Sequence, residues 1–281
     1  MMAVVAVLHM IESMLIYIDG HSFSTPIITR TEDNNICGGF YLQKFWPIPM
    51  IVIVAVLGRD VPINTGTLPA WWPAFIPEGL SIQTVILRLT GLVAVLGYGD
   101  MTLSRMPKEK NKIAAGRLAL YSFVLLVLSL LSSEIYAFKF VAAIFAPLAH
   151  EGLILYSQRE EKSRKRLLEA GDAGTMVIFV KKDGVGYKLG LKPGDRIIKI
   201  NNIPLLEDKD LDSFLQKRPS VIWLEVMHAG GSVDIKEYSN YESGTASLEC
   251  IYVERHPRTV YRFNVKESSR FKRLFSYLKR H

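Results

Sequence analysis

Apolar residues fall in long runs before Tyr156 and in short alternating groups after it. A helix that crosses a bilayer needs about 20 mostly apolar residues, because nothing in the hydrocarbon satisfies a stray backbone polar group. Five runs approach or meet that length, at 1–18, 45–58, 80–99, 117–133 and 135–156. The cleanest ends between Arg117 and Glu134. The run at 135–156 keeps Lys139 and the pair His150-Glu151 near its ends, where a lysine can reach the interface. The run at 80–99 contains Arg88, the run at 45–58 opens on Phe45-Trp46-Pro47-Ile48-Pro49, and the first run encloses His9 and Glu12. The pattern predicts a transmembrane domain of about five helices over residues 1–156.

Beyond it, residues 157–171 read as a basic juxtamembrane linker helix that stops at the glycines following Ala170. A second domain is expected over 172–240. Thr175–Val180 reads as a buried strand, Lys181-Lys182-Asp183-Gly184 as its turn, and Arg196–Ile200 as a second strand. A helix should start at Asp208 and run to about Lys217, with Leu211, Phe214 and Leu215 on one face. Val221–Met227 and Val233–Tyr238 flank Ala229-Gly230-Gly231 as a hairpin. Residues 241–281 form a C-terminal extension, β-rich around His256-Pro257 and then amphipathic, with Phe271, Leu274, Phe275 and Leu278 set among basic residues. That tail either lies on a membrane or packs on the preceding domain.

Charge sharpens this division. Residues 1–156 hold ten Lys/Arg and ten Asp/Glu, whereas 157–281 hold 24 and 17, so the net charge of +7 belongs to the second part. The excess lies beside apolar segments, where attraction to anionic headgroups accounts for it, and nucleic acid is not an expected partner. Basic residues cluster between Met101 and Arg117 and again after Tyr156, which places both stretches and the C-terminal domain in the cytoplasm of a multi-pass cell-membrane protein. The same scheme puts the loop with Trp71-Trp72 outside. Met1 opens directly into apolar sequence without a basic n-region, so no signal peptide is read, and an upstream helix is left open. Cys37 and Cys250 stand apart with no CxxC spacing, which excludes a disulfide framework or a zinc finger built from them.

The most specific string is GYKLGLKPGDRIIKINN, from Gly186 to Asn202. Gly190 ends a helical turn where positive φ is needed, Leu191 follows, Pro193-Gly194 make a tight turn, Asp195 can bond neighbouring amides, and Asn201 closes the strand. The string resembles the core of bacterial PDZ domains. That resemblance implies a small α+β domain of the permuted, protease type, which binds an extended peptide as an added strand beside a helix. One wall of the groove would be Lys209, Leu211, Phe214 and Leu215. For the other, only Leu167 and Leu168 precede Thr175 as candidates. The strings GGFYLQKFWPIP (Gly38–Pro49), GYGD and FAPLAHE (Phe145–Glu151), joined to one such domain, resemble the polytopic PDZ proteins of Gram-positive bacteria. This implies a membrane scaffold that holds a protein segment, with no cofactor and no small-molecule substrate, and a place in cell division or at the pole.

Catalysis has little to stand on. A site-2-type intramembrane metalloprotease is the alternative class, but it needs HExxH, and His150-Glu151 is followed by Gly152-Leu153-Ile154. His9 and Glu12, one turn apart in the first run, are candidates to complete a ligand set with His150 and Glu151. No GNSGG serine-protease motif and no Gly-rich phosphate loop occurs, so the chain is not read as an enzyme.

Overall fold

A computed structural model describes residues 2–31, 34–57, 85–171 and 174–253. It divides into two units, one of residues 1–43 with 98–281 and one of residues 44–97.

Three helices belong to the first unit: α1 (Met2–Asp19), α2 (Pro107–Glu134) and α3 (Ala137–Ser163). Each is long and apolar enough to cross a membrane. Pro107 starts α2 because its missing N–H would have had no partner in a first turn anyway. Ala6 of α1 packs with Tyr121 and Leu125 of α2, and Phe145, Ala149 and Leu153 of α3 close around them. The Ser13 hydroxyl donates to the Ala115 carbonyl at 2.9 Å, tying α1 to α2. Elsewhere these helices expose Leu120, Phe123, Leu130, Phe140 and Ile144, a surface suited to lipid and not to water. Helix α2 begins ten residues before the 117–133 run, and α3 carries the basic stretch only to Ser163 before the chain turns.

The runs at 45–58 and 80–99 are corrected by the structure. Their described residues lie in strands, β2 (Ile36–Leu57) and β3 (Val85–Thr102), and not in helices. Ile51, Val52, Ile53, Val54 and Val56 are β-branched and fit a pleated surface better than a helix, while Gly91, Gly97 and Gly99 weaken helix formation in the other run. Among the described residues, β1 (Ser24–Arg30) pairs with β2 only as far as Leu42, before Pro47 and Pro49, and a strand tolerates proline where no neighbour needs its N–H. In the 44–97 unit, Gly97 lies against the Phe45 ring, which an added Cβ would meet at 2.9 Å. Trp71-Trp72, residues 80–84 and the tail beyond Val253, including His256-Pro257, are outside the described residues.

The C-terminal domain is built from β5 (Thr175–Val180), α4 (Val185–Lys188), β6 (Arg196–Ile200), β7 (Ile203–Pro204), α5 (Asp208–Leu215), β8 (Val221–Met227), β9 (Val233–Ser239) and β10 (Cys250–Val253). The sheet runs in the order β10-β5-β6-β8-β9, with β7 beside β6. One face carries Val177, Ile197, Ile200, Ile222, Leu224 and Val226 against Leu211 and Leu215 of α5. The other face buries Met176, Ile178 and Val253 under Ile36, Phe40 and Leu168. Strand β5 is therefore covered on both sides, as its unbroken apolar run TMVIFV requires.

Where the long helices meet β3, a charge network replaces apolar packing. Glu160 of α3 holds Arg105 at 2.8 Å, Arg117 at 2.6 Å and Arg164 at 3.0 Å. Its neighbour Glu161 accepts from the Leu103 and Ser104 amides at 2.7 and 2.6 Å and from Lys110 at 3.1 Å. Lys110, only 2% exposed, also faces Asp100 at 3.4 Å, so the carboxylate of the GYGD string pairs with Lys110 of α2. Burying a lysine this deeply is costly without such partners.

Candidate peptide-binding groove

The turn residues of the sequence motif hold the domain's corners. Gly190 has φ +70° and Gly194 φ +97°, values that side chains disfavour. The Asp195 carboxylate accepts from the Lys192 amide at 2.8 Å, closing the Lys192-Pro193-Gly194-Asp195 turn. Leu191 is buried in the core. Asn201, itself at φ +46°, accepts from the Trp223 amide at 2.7 Å and donates to the Val221 carbonyl at 3.1 Å, so it locks the β6–β7 turn to β8. The second oxygen of Asp195 meets His228 Nδ1 at 2.7 Å, and Asp234 meets His228 Nε2 at 2.9 Å. These two carboxylates raise the imidazole pKa above its ordinary 6.5.

On α5, Leu211 and Leu215 are buried in the core and Phe214 is half-buried against it; Lys209 lies in the first turn. The cap is Glu207, with Asp210 completing a reciprocal capping box, instead of Asp208.

Leu167 and Leu168, expected as the opposite wall, are engaged with the segments before the domain. Strand β4 (Leu168–Glu169) pairs with Cys37 and Gly38 of β2, and Leu168 packs on the sheet face away from α5. Leu167 is exposed, with its amide donating to the Leu103 carbonyl at 2.8 Å. The strand that pairs beside β5 at the end of the sheet comes from the far end of the domain. β10 pairs antiparallel with β5, Cys250 opposite Val180 and Val253 opposite Met176, and forms the sheet's outer edge. Cys250 and Tyr252 pack toward the core shared with α5, and Ile251 is 42% exposed. Burial raises the Tyr252 pKa, with Cys250 and Asp212 of α5 adding to it. Burial likewise pushes the Cys250 thiol up to about 11, so it is not a thiolate nucleophile. The alternation CIYV is legible in the sequence, but its place beside β5 is not, since nearly 70 residues separate the two strands.

The remaining candidate ligands come together inside the helices. His9 Nδ1 lies 2.8 Å from Glu12, and the His9 ring is 5.4 Å from His150 and 5.5 Å from Tyr121. Glu151 follows His150 on α3. Among the described residues, no group of three His, Cys, Asp or Glu side chains is placed to hold a metal ion.

Residues 177–227 match the family model of the PDZ domain. The C-terminal part of the chain is thus a PDZ domain, of mixed α/β build, carried by a protein with helices fit to cross a membrane. Over most of its length the chain is similar to the cell division topological determinant MinJ of Bacillus subtilis (strain 168), at 21% identity over 243 residues, 86% of this chain and 58% of that protein. It is similar in the same way to the probable cell division topological determinant MinJ of Lacticaseibacillus paracasei, at 22% identity over 83% of this chain and 59% of that protein. The chain spans a little under three-fifths of the length of these curated relatives. Among solved structures, the PDZ domain of the SdrC-like protein of Listeria innocua is 17% identical over 30% of this chain and 97% of that chain, with a TM-score of 0.26.

Proposed function

We propose that the chain is a non-enzymatic, multi-pass membrane adaptor whose cytoplasmic PDZ domain binds an extended protein segment and positions cell-division or polar proteins. The single observation that carries this reading is the core that Cys250 and Tyr252 of β10, the last strand of the sheet, share with Leu211 and Leu215 of α5. The last strand of a sheet takes a segment through main-chain hydrogen bonds, while the flanking helix selects its side chains. The sheet order supports a permuted domain in which the groove strand follows the β8–β9 hairpin instead of preceding β5. Lys209 and Phe214 on α5 and Ile251 on β10 are the residues assigned to the groove, while Leu211 and Leu215 support it from the core.

Orientation rests on charge. Lys108 and Lys112 at the start of α2 and Arg159 and Lys165 around the end of α3 are exposed at the same end of two connected helices, which fits a cytoplasmic membrane surface. Anchoring partner and groove on one surface raises their effective concentration, so a weak contact suffices. The relatives are named as division determinants and not as proteases, and nothing in the geometry favours the metalloprotease class.

The test is a fluorescent fusion of the full chain in its native host, joined to crosslinking in membranes. Enrichment at division sites or poles, with a crosslinked protein lost in a Phe214→Arg variant of unchanged melting temperature, is the expected result. Uniform membrane signal and a crosslinking pattern indifferent to Phe214→Arg would sink the proposal.

A further inference from the structure

The string GGFYLQ opens on Gly38-Gly39 inside β2, where β1 sets Ile28 opposite Gly38 and Ile27 opposite Gly39, and β4 sets Leu168 opposite Gly38 from the other side. Glycine weakens a strand interior and marks a place where other atoms come close. Successive strand residues point to opposite faces, so the pair meets two different neighbours. A Cβ added at Gly38 would lie 2.8 Å from Ile178 Cγ1 and 2.9 Å from Val253 Cγ2, both on the PDZ sheet. One added at Gly39 would lie 2.7 Å from the Thr102 carbonyl oxygen and fall on the Leu103 side chain.

We infer that Gly38 and Gly39 are positioning residues that seat β2 between the PDZ sheet and the Thr102-Leu103 segment, so that the PDZ domain is docked on the membrane part and β10 is held in place by that docking. The functional consequence rests on the reading of β10 and α5 as a peptide groove; the docking itself rests on the contacts alone.

Both sides of the joint are built. On the PDZ side, Val253 of β10 packs with Ile36, Phe40, Leu168, Met176 and Ile178, whereas Cys250 and Tyr252 pack in the core under α5, so β10 is gripped from both faces. The chain entering the domain is fastened to the same place. The Ala170 amide donates to the Ile36 carbonyl at 3.0 Å, the Asn35 amide group donates to the Glu169 carboxylate at 2.8 Å, and Arg196 of β6 donates to the Glu169 carbonyl at 3.0 Å. On the membrane side, the Leu103 amide donates to Glu161 of α3 at 2.7 Å, and its carbonyl accepts from the Leu167 amide at 2.8 Å. A groove strand held in place before its ligand arrives loses less freedom on binding, so docking raises the affinity of the groove.

Hydrogen exchange on the full-length protein in detergent tests this with Gly38→Val, Ile178→Ala and their combination. Valine favours strands, so a loss on Gly38→Val comes from the added bulk and not from a weaker β2. Expected are β10 amides exchanging at least tenfold faster in Gly38→Val, with β6, β8 and β9 unchanged, and better protected in the combination than in either single variant, because Ile178→Ala makes room for the valine. Equal β10 exchange in the wild type and Gly38→Val overturns the inference. A loss that Ile178→Ala does not reverse overturns it too, since the fault then lies within β2. Should Gly38→Val unfold the whole domain, the smaller Gly38→Ala gives the same reading, a loss confined to β10 upholding the joint and no loss overturning it. Gly39→Ala should speed exchange of the Leu103 and Ser104 amides at least tenfold while β10 stays protected; unchanged Leu103 and Ser104 amides overturn the part assigned to Gly39. The second readout is the membrane crosslink that Phe214→Arg removes. It should weaken in Gly38→Val and return in the combination, whereas exchange that follows the expectation beside an unchanged crosslink upholds the joint and overturns the groove reading.

Discussion

Single side chains in the PDZ domain do work that their positions in the sequence conceal. Asp195 belongs to the turn motif by its bond to the Lys192 amide, yet its other oxygen reaches His228 on the far side of β8, and Asp234 holds the opposite ring nitrogen. Because the folded-state pKa of His228 is raised, its contribution to stability is complete below the unfolded value near 6.5 and is lost as pH climbs through the folded value. The urea midpoint of the domain transition should therefore fall as pH rises above 6.5, and His228→Gln should remove that fall; parallel pH profiles for the two proteins would show that the clamp contributes nothing. Core residues behave more simply. Leu224 is fully buried in the face that packs on α5, and Leu224→Ala should cost about 2–5 kcal/mol in denaturant unfolding.

At the scale of elements, two joints hold the parts of the proposed groove. The first is the N-terminus of α5, where the Asp210 carboxylate accepts from the Leu206 and Glu207 amides, both at 2.7 Å. Asp210→Ala should cost about 1 kcal/mol and loosen the helix wall, seen as faster exchange of the first-turn amides. The second joint is between α4 and β10. The Gly186 amide donates to the Leu248 carbonyl at 2.7 Å, and a Cβ added at Gly186 would fall on the Cys250 sulfur. Gly186→Ala should consequently displace β10 from β5, and it should weaken capture of any groove ligand by more than it lowers the melting temperature. A variant that melts early but binds normally would place the groove elsewhere.

Across the first unit, the buried network at Glu160 and Glu161 joins the end of β3 and the linker after it to α2 and α3. Removing one partner strands a charge in a dry site, which is more costly than never having had the pair. Glu161→Ala should destabilise the detergent-solubilised protein by about 3–5 kcal/mol, since Lys110 and two amides lose their acceptor together. Pairing it with Lys110→Met should restore much of the loss; an additive double variant would mean the network is not coupled.

Local pattern determined much of this protein. The string from Gly186 to Asn202 encodes its own turns through residues that need positive φ or a side-chain acceptor, so the PDZ domain was legible from it, and α1, α2 and α3 were legible from the length of their apolar runs. The same cue failed at β2 and β3, because a run of apolar β-branched residues has one composition whether it becomes a buried strand or a helix, and only pairing across a sheet decides between them. The strand beside β5 was not legible for a related reason. Leu168 and Cys250–Val253 are both short apolar segments flanking the domain, and nothing local states which will sit beside β5. Long-range pairing settled it: Leu168 pairs with β2, while β10 pairs with β5 across a register shift between Ile251 and Tyr252. Periodicity reports which side of an element is apolar, whereas long-range register reports what that side will touch, and only the folded chain contains the second.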